Sequence, residues 1–266
     1  MTTTISASAL ADAVVALRAA GCVFAEDEAA VLGATAPDET TLTALVRRRA
    51  GGEPLEQVVG YADFCGLRVR LRPGVFVPRV RSALLVRLGA EHAHSTGRRR
   101  NSGEVVVVDL CCGSGALGLA VIAENPHADL YAADVDPNAV ACAQDNLDGH
   151  VFQGDLFDAL PARLAGAVDV LLANVPYVAT RHIPLLPAEA RDHEPRVALD
   201  GGPDGLDVFR AVVAEAPRWL APGGLLLSEI TEAQIGPATA AVGTAGLLAD
   251  VAYDEDLDAT VVMARR

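Results

Sequence analysis

Two short stretches of the chain carry residue types that could do chemistry. In DLCCGSGALG, Gly113, Gly115 and Gly118 follow an apolar run and open a helical pattern. Glycines there let a ligand approach the backbone, and the helix N-terminus favours negative charge. Asp134 stands 21 residues after Gly113, at the end of the next apolar run. An acid at that place takes the hydroxyls of a ribose. A bare structural turn would not need it, so the pair points to a nucleoside cofactor. In LLANVPYVA, a third apolar run ends in Asn174, followed by Val175, Pro176 and Tyr177. The Asn174 side-chain oxygen and the Val175 main-chain carbonyl would each accept one N–H of a planar –NH₂ group. Tyr177 would cover its flat face. The competing reading is an asparagine that caps a turn before a proline.

Two cofactor classes fit a glycine loop followed by an acid. A dinucleotide places pyrophosphate on the loop, and S-adenosylmethionine places its amino-acid end there. Asp109 lies four residues before Gly113. Its carboxylate would repel a pyrophosphate and suit the cationic amino group of a methionine moiety. In GDLFDAL, Asp155 would accept from an adenine amino group or serve as a helix cap, and the sequence leaves both open. Cys111 and Cys112 read as small residues packed under a tight loop rather than as reactive thiols.

These groups need a scaffold. Leu10, Ala13, Val14 and Leu17 follow helical spacing with Gly21 as a stop, and further helices are expected over 26–34 and 38–50. Leu67, Val69 and Leu71 alternate with arginines between glycines and prolines, as in one arm of a hairpin. A helix is expected over 82–93. HAHSTGRRRNSG (92–103) reads as a solvated loop or linker. Beyond it, EVVVVDL carries a continuous apolar run that ends in Asp109, as in a strand buried on both faces. Strand and helix patterns then alternate to the end: helices at 116–125, 137–147, 205–220 and 232–245, strands at 128–135, 167–173, 224–229, 247–252 and 260–264. That alternation implies a mostly parallel sheet with helices on both faces, and ligands bind at the carboxyl ends of its strands.

Composition narrows the function classes. The 266 residues suit one large domain, or a large and a small one. The net charge is -14 and all 21 basic residues are arginine. Such a charge repels phosphates and disfavours a nucleic-acid partner. The five cysteines are scattered and form no C-x-x-C pair, so neither a disulfide framework nor a zinc site is expected, and no metal. The N-terminus lacks the basic region of a signal peptide, and no apolar run reaches the roughly 20 residues of a membrane span. A cytoplasmic protein with no membrane partner is expected.

The chain resembles the bacterial peptide-chain release factor N5-glutamine methyltransferases, the HemK or PrmC family. RRRAGGEPLEQVVGYADFCGL, GVFVPR, DLCCGSGALGLA, GDLFDAL, NVPYV and HEPRVALDGGPDGLDVFRAVVAEAPRWLAPGGLLLSEI carry the resemblance, together with the ending LDATVVMARR. It implies an α/β fold: a class I S-adenosylmethionine-dependent methyltransferase with a Rossmann-like seven-stranded sheet. A small N-terminal helical domain for substrate recognition (1–52) and a β-hairpin linker (53–80) would precede the methyltransferase domain (81–266). The implied cofactor contacts are Cys111, Cys112, Gly113, Ser114, Gly115, Asp134, Leu156 and Asn174. Residues Asn174, Val175, Pro176 and Tyr177 would hold the amide. The implied acceptor is a Gly-Gly-Gln glutamine of a release factor, or an exposed glutamine loop of another protein. Four departures fall on the acceptor side, one of them the absence of the usual arginine before the valines of the last strand. Val175 replaces the first proline of N-P-P-Y, and Gln57 stands where tyrosine is usual. Val80-Arg81-Ser82-Ala83 replaces P-x-T-E, which implies the loss of a polar pair. They leave room for a paralogue that methylates another protein or a small-molecule amine or amide. Adenine N6-methyltransferases use a similar asparagine–proline–tyrosine site and are a further alternative.

Overall fold

The computed structural model describes residues 5–100 and 105–266. Helix α1 (Ala7–Ala19) begins where the Ser6 hydroxyl accepts the Ala9 N–H, and the chain leaves it through Gly21 at φ +90°. Helices α2 (Ala25–Thr35) and α3 (Glu39–Ala50, capped by Asp38) come next, with a short α4 (Leu55–Val59). Leu17, Leu32, Leu42, Val46 and Val58 bury one another in a core of their own. Strands β1 (Tyr61–Phe64) and β2 (Leu67–Arg70) pair antiparallel as a hairpin.

Side chains pin the hairpin to the larger, C-terminal part of the chain. Asn146 accepts the Arg70 N–H and donates back to the Arg70 carbonyl and to that of Ser114. Arg72 pairs with Asp145. Gln57, buried, donates to the Val75 carbonyl and accepts the Gly74 N–H. It thereby ties α4 to the segment that leads into the cleft.

A 3-10 turn (Val80–Ser82) opens α5 (Ala83–Arg100). The expected loop at 92–103 is therefore helical as far as Arg100, and 101–103 lie outside the described residues. The buried face of α5 continues through His92, Ala93 and Thr96. Its spacing stays helical while its residues turn polar, so hydropathy alone misses it.

Strand β3 (Val105–Leu110), α6 (Ala116–Glu124), β4 (Ala128–Asp134), α7 (Pro137–Asn146), β5 (His150–Gln153) and β6 (Val168–Ala173) come next. A short α8 (Ala188–His193), α9 (Asp207–Trp219), β7 (Leu220–Ile230), α10 (Ile235–Thr244), β8 (Leu248–Asp254) and β9 (Ala259–Arg265) complete the chain. The seven-stranded sheet runs β5-β4-β3-β6-β7-β9-β8. Its first five strands are parallel, and β9 pairs antiparallel with both β7 and β8.

Neighbouring residues of one strand feed opposite cores, as the two-residue period requires. Val107, Val170 and Leu172 pack with Leu84, Leu85 and Val121 on one side. Val108, Leu171 and Ala173 pack with Phe209, Val213 and Trp219 on the other. Successive connections leave β3 towards β4 on one side, whereas β6 lies on its other side. A crevice therefore opens at the carboxyl ends of β3 and β6, where such sheets bind ligands. Among the described residues, no helix is long and apolar enough to cross a membrane.

Candidate active site

A cleft of about 420 Å³ lies over those strand ends. Cys111–Ser114 after β3, Asp134 at the end of β4 and Asn174–Tyr177 after β6 all line it. The size falls in the usual range for a small-molecule site. Two motifs read separately from the sequence thus meet in one crevice.

The glycine loop is left-handed at Cys111 (φ +54°), Gly113 (φ +56°) and Gly115 (φ +77°). A Cβ on Gly113 would meet nothing within 4 Å, so its backbone borders open space. Gly115 is different: a Cβ would lie 2.8 Å from Leu147, so this glycine lets α6 approach α7. Asp134 Oδ2 accepts the Gly113 N–H at 2.9 Å, and Oδ1 accepts the Asp136 N–H at 2.9 Å. The acid therefore fixes the loop while lining the cleft. Burial raises its pKa above the usual range, against the pull of those two N–H groups.

Asp109 does not reach the cleft. It is fully buried beneath the loop, where Oδ2 accepts the Gly118 N–H at 2.9 Å and Oδ1 has no partner. Burial pushes its carboxyl up to about 7. The structure places it under the glycine helix rather than beside a ligand's amino group. Asp155 is exposed, and neither it nor Leu156, left-handed at φ +46°, lines the cleft. Cys111 and Cys112 do line it, but burial pushes both thiols well up, so they stay protonated. Among the described residues, no group of three or more His, Cys, Asp or Glu side chains could hold a metal ion.

The Asn174 segment is held by a polar cluster. Asn174 Nδ2 donates to Ser82 Oγ at 3.3 Å, and Ser82 Oγ donates to Glu229 Oε2 at 2.7 Å. Glu229, near the end of β7, takes Arg81 Nε and the Tyr177 hydroxyl on Oε1, each at 2.6 Å. Arg81 also donates to the Tyr177 oxygen at 2.6 Å. Burial and the Glu229 carboxylate push the Tyr177 phenol up, which keeps its proton in that bond. Within the segment Val80–Ala83, where the resemblance implies a lost polar pair, Arg81 and Ser82 thus supply polar groups of their own. Glu229 was not among the expected residues. Its signal is an acid inside the buried run GLLLSEI. Asn174 lines the cleft, and its Oδ1 is buried with no hydrogen-bond partner.

A glycine-rich turn clamps the same segment. The Val178 N–H donates to the Leu199 carbonyl, the Gly201 N–H to the Val178 carbonyl, and the Thr180 N–H to the Gly202 carbonyl. A Cβ on Gly201 would lie 2.5 Å from the Pro176 carbonyl oxygen. On the other side of the cleft, Arg79 pairs with the buried Glu194, which also accepts the Val77 N–H. The HEPRVALDGGPDG motif therefore works as a brace for both walls.

Residues 82–188 match the Methyltransferase small domain family. A release factor glutamine methyltransferase of Mycolicibacterium smegmatis is 38% identical over 229 residues, which are 83% of this chain and 78% of that protein. The chain belongs to the release factor glutamine methyltransferase family. A second such relative, from Geobacter sulfurreducens, is 37% identical over 70% of this chain. The match spans 63% of that relative's own length. At the same 37% identity stands a 4-amino-L-phenylalanine/4-methylamino-L-phenylalanine methyltransferase of Streptomyces pristinaespiralis, over 69% of this chain and 63% of that protein. The fold is that of class I methyltransferases. The hMettl16 catalytic domain superposes with a TM-score of 0.58 at 12% identity, over 90% of this chain and 81% of that one.

Proposed function

We propose that the protein methylates the side-chain amide nitrogen of a glutamine, using S-adenosylmethionine, and that the glutamine is the Gly-Gly-Gln residue of a peptide-chain release factor. The observation that carries this reading is that Asn174, whose Oδ1 is buried without a partner, lines the same cleft as the glycine loop. A buried acceptor without a donor costs about 1–3 kcal/mol. An –NH₂ group from an acceptor substrate would remove that penalty.

The residues fit the cofactor. The open backbone at Gly113, with Cys111, Cys112 and Ser114 beside it, would receive the amino-acid end, and Asp134 the ribose. Gly115, Asp155 and Leu156 would act from behind this surface by shaping the loops. When bound, the cofactor supplies an electrophilic methyl group. The chain's own contribution is positioning. Asn174 Oδ1 and the Val175 carbonyl would hold both hydrogens of the amide, and the Tyr177 ring would wall its flat face. No thiol or histidine is placed as a nucleophile, which supports direct transfer. Helices α1–α3 would form the recognition unit (1–52) for the protein acceptor, joined by the hairpin linker (53–80) to the methyltransferase unit (81–266). A cytoplasmic location accords with such a partner.

A second reading is favoured by the Streptomyces pristinaespiralis relative, whose named substrate carries an aryl –NH₂ group. The same Asn174 and Tyr177 geometry would suit it. The net charge of -14 counts against DNA or RNA.

Calorimetry tests the cofactor. S-adenosylmethionine is expected to bind at low micromolar affinity, about -8 kcal/mol. Asp134→Ala is expected to weaken it roughly tenfold or more, because both the ribose partner and the brace on the Gly113 N–H are lost. Equal binding by both proteins, or a preference for NAD, would overturn the reading. Labelled methyl transfer to purified release factor tests the acceptor.

A further inference from the structure

We infer that Glu229 and Ser82 are positioning residues that set which way the Asn174 amide faces, with its NH₂ towards Ser82 and its oxygen held away from it as the free acceptor. The inference rests on the proposed amide chemistry and adds the device that prepares it.

An asparagine amide has two faces of similar shape, one donor and one acceptor, and only its partners decide between them. Here the decision starts at Glu229. As a carboxylate it has no proton to give. Oε1 is filled by Arg81 Nε and the Tyr177 hydroxyl, and Oε2 accepts from Ser82. Glu229 is 2% exposed and Ser82 is 2% exposed, so water does not substitute for these bonds. Ser82 has one hydroxyl proton, and Glu229 takes it. Towards Asn174 the Ser82 oxygen can then only accept. The NH₂ side of Asn174 must face Ser82, at 3.3 Å, and Oδ1 must face the other way. The flipped amide would set two acceptors against each other. The chain of polarity runs from carboxylate to hydroxyl to amide, and it ends in the buried, partnerless Oδ1 of a residue that lines the cleft.

The arrangement explains why a charge sits buried beside the cleft. Arg81 and Tyr177 satisfy one oxygen of Glu229 and hold it in place, which leaves the other oxygen free to orient Ser82. Neither Glu229 nor Ser82 needs to touch an acceptor for its loss to be felt in turnover.

The test combines kinetics with the side-chain amide signals of Asn174 in nitrogen-15 spectra. Ser82→Ala removes the relay and Ser82→Thr keeps its hydroxyl. Ser82→Ala is expected to lower kcat on release factor about tenfold, the size of one lost orienting hydrogen bond, with KM and cofactor Kd within about twofold. Its Asn174 NH₂ signals should move, and Ser82→Thr should restore both signals and kcat. Wild-type kcat in Ser82→Ala with unmoved amide signals would overturn the relay, as would failure of Ser82→Thr to restore them. If the wild-type protein transfers no methyl group to release factor, the acceptor reading fails instead. The Asn174 signals of the two variants then decide the relay alone.

Discussion

Asn174→Ala is expected to lower turnover by about a hundredfold or more while leaving cofactor affinity nearly unchanged. The side chain contributes an acceptor that matters when the amide must hold its lone pair on line. Such interactions weigh on the transition state more than on ground-state binding, and one well-placed polar group is worth about 10²–10³ in rate. Alanine also leaves Ser82 and Glu229 bonded to each other, so the cleft wall keeps its shape. Single-turnover transfer and calorimetry on the same preparation check this. Near-normal turnover would mean that Asn174 is only a turn residue. A loss of cofactor affinity equal to the loss of rate would place it in cofactor binding instead.

Gly205→Ala is expected to be among the most damaging single methyl groups in the chain. Gly205 has φ +82°, and a Cβ there would stand 2.2 Å from the Tyr177 carbonyl oxygen and 2.5 Å from Gln234 Nε2. Gln234 holds both sides of this contact, donating to the carbonyls of Tyr177 and Asp204. No rotamer change relieves a backbone oxygen, so the segment after β6 must move. The expected cost is about 3 kcal/mol, combining left-handed strain with a core-like overlap. Gly223→Ala supplies the comparison. Gly223 has nearly the same φ, +80°, with nothing within 4 Å, so only the strain of about 1 kcal/mol applies. Urea unfolding of the two variants measures the difference. Equal midpoints would show that the glycine turn does not brace the Asn174 segment.

Much of this architecture was legible in the residues. The strands β3, β4 and β6 are mostly apolar runs that end in Leu110, Asp134 and Ala173, and both motifs come directly after such ends. Strand-end placement made it predictable that Gly113, Asp134 and Asn174 share one crevice. The C-terminal half of α5 was not legible, because His92 and Thr96 occupy buried positions that hydropathy assigns to solvent. Asp109 misled for the opposite reason. Spacing put a carboxylate beside the loop, but the strand's two-residue period turns it beneath the loop, onto the Gly118 N–H.

The polar cluster shows a different limit. Arg81 and Ser82 come from the turn before α5, Tyr177 from the segment after β6 and Glu229 from β7. Partners 96 and 147 residues apart in sequence leave no local signature. Motif comparison alone counted the segment Val80–Ala83 as a loss. In three dimensions the Ser82 hydroxyl and the Arg81 guanidinium are the groups that hold the site. Similarly, the glycines of DGGPDG stand out only by family likeness, and for Gly201 and Gly205 the reason is physical: the backbone at Pro176 and Tyr177 passes too close for a side chain.

The central claim is that Asn174 presents an acceptor to a protein glutamine amide. Incubation of the protein with purified release factor and isotope-labelled S-adenosylmethionine, then peptide mass spectrometry, tests it most directly. The account predicts one labelled methyl group on the side-chain nitrogen of the Gly-Gly-Gln glutamine, absent with Asn174→Ala. A methyl group on adenine or on a small arylamine, with none on any glutamine, would contradict it.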